Sequence, residues 1–287
     1  MNPVFKAAIW MIGAICSFSA MAVAGREVSF ALDTFEIMLF RSSVGLLIVV
    51  SASLIFGTWP QINRQQFGLQ FGRNLAHFIG QNLWFYAVTV IPLAQVFALE
   101  FTSPIWVILL GPLLLGERIT LVRAIAAVMG FIGILLVARP DMAGLNTGVI
   151  MAASSAIFFA FTIIFTKRLT RTQSITCILF YLTALQLVFG LITAGYDGDI
   201  TVPDAETLPW LILIGVAGLL GHFCITNALA IAPATVVVPI DFVRLPVIAI
   251  IGWLAYGEGI DLWVILGALI ILAGNYLNIW VETRRAR

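Results

Sequence analysis

Charge is scarce in this sequence. Asp, Glu, Lys and Arg make up 10% of its residues, against about a quarter in soluble domains, and the formal net charge is +1. So small an excess leaves no basic face to displace counterions from a nucleic acid, which excludes nucleic-acid binding as a main role. The three cysteines, Cys16, Cys177 and Cys224, each sit inside an apolar run, without loop pairing or metal-ligand spacing. That excludes a disulfide framework and a zinc site. There is no phosphate-cradling loop, no His-Glu zinc helix and no serine or cysteine nucleophile with a placed base, so no cofactor, metal or enzyme chemistry is expected.

Apolar residues are what the chain has: 61% of it is hydrophobic and its mean hydropathy is +1.07. Runs close to the roughly 20 residues that cross a bilayer at 1.5 Å each fall at 4–24, 35–57, 72–90, 93–115 and 120–138. Five more fall at 147–166, 174–195, 208–231, 234–256 and 261–281. Hydrocarbon offers no water to satisfy backbone groups, so these runs must be helices. The expected fold is an all-α polytopic membrane protein of ten transmembrane helices. Lys6, the first apolar run and Ala22-Val23-Ala24 mimic a secretory signal. A second copy of that run lies deep in the chain, so it is read as a retained helix.

The copy belongs to a repeat with an offset of 141. It lays Pro92 on Pro233, Phe101 on Phe242, Gly111 on Gly252, Gly116-Glu117 on Gly257-Glu258 and Glu100 on Asp241. Over residues 91–138 it gives 12 identities in 48. Chance between two such apolar segments gives roughly a tenth. The punctuation repeats too: Pro92 and Pro233 force tight hairpins, Gly116 and Gly257 suit helix C-termini, and Thr120 and Asp261 suit N-caps. Two repeats are therefore expected, 1–140 and 141–287.

Lysine and arginine set the orientation. With the N-terminus cytoplasmic, Lys6, Arg64, Arg73, Arg118, Arg123, Lys167, Arg168, Arg171, Arg284, Arg285 and Arg287 lie inside, and Arg26 and Arg139 outside. Five helices per repeat is an odd number, so the second copy enters from the opposite side. Inverted repeats of this kind occur in secondary transporters, with the substrate held near the midplane.

Arg41, Glu100, Asp241 and Arg244 lie inside apolar helices, where a charge costs about 2.5–3.5 kcal/mol even on the lenient scale. Such groups face one another or a wet cavity. Equal depth suggests pairing Arg41 with Glu100, and a spacing of three puts Asp241 beside Arg244. Arg41 suits a substrate carboxylate, Glu100 a coupling proton, and Pro246 is expected to loosen its helix and free a carbonyl. His77, Gln81, Asn82, His222 and Asn227 add polar groups at similar depth, and Trp84, Phe85, Tyr86, Phe97, Phe101 and Phe242 supply aromatic walls. Together they describe a substrate cavity. Glu117 and Glu258, at helix ends near water, read as loop caps, and Gly215, Gly218 and Gly221 as a close helix contact.

Phe40-Arg41, the turn AVTVIP at 87–92, TSPIWVILLGPLLLGE with GFIGILLV behind it, and ALAIAPATVVVPI through YGE resemble the drug/metabolite transporter superfamily, in its proteins with two EamA domains. The resemblance covers nearly the whole chain. It implies a ten-helix bundle of inverted repeats in a bacterial inner membrane, both termini cytoplasmic, importing or exporting a small metabolite. Balanced charges point to an amphipathic or zwitterionic, amino-acid-like solute, with protons as a candidate coupling ion. The alternatives are an intramembrane enzyme acting on a lipid-linked substrate and a non-transporting scaffold.

Overall fold

The computed structural model describes residues 3–115, 121–138, 146–196, 198–231, 240–259 and 261–285. Among the described residues the chain is helical and has no strand. The helices are α1 (Pro3–Val28), α2 (Thr34–Ile55), α3 (Phe67–Val90), α4 (Leu93–Glu100), α5 (Ser103–Leu115), α6 (Leu121–Ala138), α7 (Thr147–Leu169), α8 (Ile175–Ala194), α9 (Leu208–Ile231), α10 (Arg244–Tyr256) and α11 (Leu262–Arg285). A turn of 3-10 helix at Trp59–Gln61 follows α2.

Local chemistry places the ends. Asp33 and Glu36 form a capping box at α2, with Asp33 Oδ1 accepting from the Phe35 and Glu36 amides at 2.8 Å. Glu36 also accepts from the Thr201 amide at 2.6 Å, tying the α8–α9 loop to α2. Gly257 ends α10 at φ 63°, a left-handed position that glycine fills without strain. Asp261 caps α11 by accepting from the Trp263 amide at 2.8 Å. Gly116, Thr120 and the Ala232-Pro233 hairpin lie outside the described residues.

Among the described residues five helices are long and apolar enough to cross a membrane: Phe5–Val28, Thr34–Ile55, Thr147–Leu169, Ile175–Ala194 and Leu208–Ala228. The 24-residue α3 is as long, about 36 Å, but carries Arg73, Asn74, His77, Gln81 and Asn82. The outer surface is oily, with Leu47, Leu54, Leu254 and Leu269 more than half exposed. Water tolerates no such belt over a whole protein, whereas lipid does. The chain is a multi-pass membrane protein.

The repeat governs the packing. The 141 offset carries α1 onto α7, α2 onto α8, α3 onto α9 and α6 onto α11. The strongest pairings are α1 with α9, α3 with α7, α2 with α8 and α6 with α11. Exchanging the repeats maps α1·α9 onto α7·α3 and leaves the other two pairs in place, the signature of a two-fold relation. At the α6·α11 crossing the backbones touch: a Cβ on Gly133 meets the Gly267 carbonyl oxygen at 2.8 Å, and one on Gly267 meets that of Gly133 at 2.7 Å. Gly133→Val is therefore expected to lower the thermal unfolding midpoint in detergent by about 5 °C or more. Gly68→Ala, with nothing within 4 Å of its added methyl, is the control that leaves it unchanged.

Two interruptions, also 141 apart, shape the centre. The chain leaves helical geometry at Phe101–Thr102 and again at Phe242–Val243. Pro104 has no N–H for the Glu100 carbonyl, and the Ser103 hydroxyl donates to it instead at 2.6 Å. The Phe101 carbonyl accepts from the buried Asn275 amide of α11 at 2.9 Å. In the second repeat the loosening sits three residues ahead of Pro246. The Phe242 carbonyl is not left free as expected, because the Leu245 amide donates to it at 3.2 Å.

Candidate functional site

Between the interruptions lies a cavity of about 210 Å³. Its acidic end is built on the last helical turns before the two breaks. Arg244 Nη2 lies 2.8 Å from Glu100 Oε1 and 2.9 Å from Asp241 Oδ2, so one guanidinium nitrogen bridges the carboxylates of both repeats. Trp84 Nε1 donates to the other Glu100 oxygen at 2.8 Å. The guanidinium lies over Phe97 at 5.0 Å and over Phe18 and Phe101 at 5.2 Å. Aromatic faces thus offset part of its desolvation. Among the described residues Asp241 Oδ1 and Arg244 Nε have no partner.

The other end is neutral. His77 and His222 stand edge to face with ring centroids 4.8 Å apart, flanked by Phe159 and Phe18. Both nitrogens of His77, Nε2 of His222 and Oε1 of Gln81 are buried without a hydrogen-bond partner among the described residues. A buried polar atom left in that condition costs about 1–3 kcal/mol. His77 and Gln81 are each 3% exposed, so the wall of the cavity itself carries the cost.

The lining is itself repeated. Under the 141 offset Phe18 pairs with Phe159, Met21 with Thr162, Gln81 with His222 and Trp84 with Ile225, all on the wall. So do Glu100 with Asp241, Phe101 with Phe242 and Ser103 with Arg244. The cavity therefore straddles the two-fold relation between the repeats.

The structure brings His77, Gln81, Glu100, Phe101, His222, Asp241 and Arg244 to this cavity, and the Asp241–Arg244 pair forms as expected. It does not pair Arg41 with Glu100. Arg41 lies 5% exposed against α9, without an ion pair among the described residues, and lines a separate space of about 10 Å³ with Ser42, Thr183 and Gln186. A Cβ on Gly218 would sit 2.7 Å from Arg41 Nε, so that glycine is the seat of the guanidinium. Gly215 and Gly221 likewise admit Val44 and Phe18.

Asn82, Tyr86 and Asn227 also leave the site. Asn82 donates back to the Phe78 carbonyl at 2.8 Å, Asn227 to that of Phe223 at 2.8 Å, and Tyr86 is 40% exposed. Trp84 lines the cavity as expected, and Phe18, Phe159 and Thr162 join the site unforeseen. The repeat was the signal for them, since Phe18 and Phe159 share a register position.

One end of the bundle is latched by Arg26. Its Nε donates to the Val88 carbonyl at 2.8 Å, its Nη2 to the Ile91 carbonyl at 2.5 Å, and its Nη1 to Glu258 Oε1. The Leu93 amide donates to the other Glu258 oxygen at 2.9 Å. Glu258 is thus no loop cap at the water surface: it clasps α1 and the α3–α4 turn to the end of α10. Lys167, the repeat counterpart of Arg26, is exposed and makes no ion pair among the described residues.

Comparison with known proteins bears on the whole chain. A model of the EamA-like transporter family matches it twice, over residues 5–139 and 146–280. A riboflavin transporter of Vibrio cholerae is 28% identical over 98% of this chain and 95% of its own length. An S-adenosylmethionine uptake transporter of Rickettsia felis is 25% identical over 96% and 92%. A crystal structure of another protein superposes with a TM-score of 0.66 at 17% identity, covering 98% of this chain and 99% of that one, a likeness of fold.

Proposed function

Since this chain belongs to the EamA-like transporter family, we propose that it is a secondary transporter carrying a small organic metabolite across the bacterial inner membrane by alternating access. On this reading ten spans form two inverted five-helix repeats, 1–140 and 141–287, with both termini cytoplasmic. The observation that carries it is the self-paired lining of the cavity. A void built from equivalent residues of two exchangeable halves has two equivalent ways to open, one to each face.

Glu100, Asp241 and Arg244 hold the polar part of the solute, and His77, Gln81 and His222 the opposite part, between the Phe18, Phe159, Phe101 and Phe242 rings. With Arg41 outside the cavity, its formal charges are two carboxylates and one guanidinium. That balance favours a neutral or cationic amphipathic solute over an anion. The Arg26–Glu258 latch closes the external end, and its opening is the outward step of the cycle. Glu100 is the candidate carrier of a coupling proton.

Purified protein in proteoliposomes is expected to take up at least one member of a metabolite panel begun with riboflavin and S-adenosylmethionine, the cargoes of the two relatives. Failure to move any solute under every imposed ion and pH gradient contradicts transport.

A further inference from the structure

Arg244 is met by two carboxylates, but two further buried arginines are met by none among the described residues. Arg73, 2% exposed, spends its donors on neutral groups, Nε on Thr166 Oγ1 at 2.9 Å and Nη1 on Asn74 Oδ1 at 2.8 Å. Arg41 makes no hydrogen bond and no ion pair among the described residues, although it is 5% exposed. A cation buried without a counter-charge is among the costliest arrangements that a membrane core holds. Its Nε is walled in against Gly218, where a Cβ would stand 2.7 Å away, while the two Nη nitrogens donate to nothing and keep surface of their own.

The space of about 10 Å³ that Arg41 borders lies on the crossing of α2 and α8, the helix pair that exchanging the repeats leaves in place. Its lining pairs with itself under the 141 offset: Arg41 with Leu182, Ser42 with Thr183 and Gly45 with Gln186. Whatever is held there touches both halves on the two-fold that relates them. There is room for one species about the size of a water molecule. The Ser42 and Thr183 hydroxyls turn their protons back to the Met38 and Leu179 carbonyls at 2.6 and 3.1 Å. The donors left on the wall are the Arg41 fork and the second N–H of Gln186 Nε2, whose first goes to the Asn74 carbonyl at 3.0 Å.

We infer that this space is a halide site, in which Arg41 holds one chloride between α2, α8 and α9. A guanidinium offers donors and no acceptor, so an anion answers both its N–H groups and its charge. Leu182, Leu219 and the bare backbones of Gly45 and Gly215 complete the wall, which leaves the attraction little screened. The small volume excludes the several oxygens of sulfate or phosphate. No residue of this wall lines the larger cavity, so the halide site stands or falls apart from the transport reading.

The test uses the purified full chain in lipid nanodiscs, with gluconate replaced by chloride at constant ionic strength. Radiolabelled chloride is expected to bind saturably to a single class of site, displaced by bromide and not by sulfate. Saturating chloride should raise the melting temperature by about 3 °C or more, because it binds the folded state alone. Arg41→Gln is expected to weaken chloride binding at least about tenfold and to abolish that rise. In gluconate the same variant should melt no lower than the wild type, since an unpaired buried cation has gone, so lost binding is not mistaken for lost folding. Gly218→Ala keeps the charge but pushes the guanidinium from its seat, and should weaken binding at least about threefold. Arg244→Met with Glu100→Gln and Asp241→Asn, which clears the larger cavity of charge, should bind chloride as the wild type does. The inference is overturned by no saturable chloride binding, by displacement with sulfate as readily as with bromide, by binding that survives Arg41→Gln, or by binding lost in the triple variant.

Discussion

Replacing Arg244 with glutamine is expected to cut transport at least about a hundredfold. The Nη2 atom that sits 2.8 Å from Glu100 and 2.9 Å from Asp241 is removed, leaving two carboxylates at the edge of an apolar cavity with no cation between them. Removing one partner of a buried pair costs about 3–5 kcal/mol, well above the roughly 2.8 kcal/mol that a hundredfold represents. Arg244→Lys keeps the charge, but an ammonium is a point cation without the planar fork and should hold one carboxylate at a time. It is expected to fold and to transport slowly. A third variant separates stability from function. Arg244→Met with Glu100→Gln and Asp241→Asn removes all three charges, so its melting temperature should recover while transport stays absent. Wild-type rates in Arg244→Gln would show that the bridge is no part of the transport site.

The second large effect is at the latch. In a background with Cys16, Cys177 and Cys224 replaced, Arg26→Cys with Glu258→Cys, joined by a short reducible bifunctional reagent, is expected to abolish transport. Cleavage of the reagent should restore it. Arg26 and Glu258 tie α1 and the α3–α4 turn to the end of α10, so a permanent tie holds the cycle in one state. Arg26→Gln acts the other way, because it strands Glu258 and takes a charged donor from the Val88 and Ile91 carbonyls. That variant favours opening of its own end and slows the return. Lys167→Gln, at an exposed side chain of the repeat counterpart position, is expected to change the described state little. Undiminished transport in the cross-linked protein would remove the latch from the mechanism.

Much of this was legible in the sequence, for reasons that also mark where legibility ends. Apolar runs report spans, because hydrocarbon forces helices. Glycine and aspartate report their ends, because Gly257 takes a left-handed φ and Asp261 caps α11. Asp241 and Arg244 were readable as partners because they stand three residues apart, a spacing that brings them together even across the break at Phe242–Val243.

Arg41 and Glu100 were not, because equal depth says nothing about which way a side chain points around its helix. α2 packs on α8 and α9, which turns Arg41 into the notch at Gly218 and away from Glu100. The same geometry sorts α3. From His77, Gln81 and Trp84 fall one and two turns along on nearly the same face, whereas Asn82 and Tyr86 lie roughly 140° and 180° around the helix. A sequence places residues at a depth, and only packing places them at an azimuth. The offset of 141 came closest to bridging that gap, since a residue on the wall in one repeat has its counterpart on the wall in the other at seven pairs of positions.

The central claim is that one cavity between exchangeable halves faces the two sides of the membrane in turn. Its most direct test places a single cysteine at Ser103, on the cavity wall, in the cysteine-free background, and labels oriented vesicles with a membrane-impermeant maleimide from each side. The account predicts labelling from the Lys167 side while the latch is intact, with labelling from the Arg26 side appearing when Arg26→Gln is added. Labelling from neither side, or from both at the same rate whether or not the latch is broken, would contradict it.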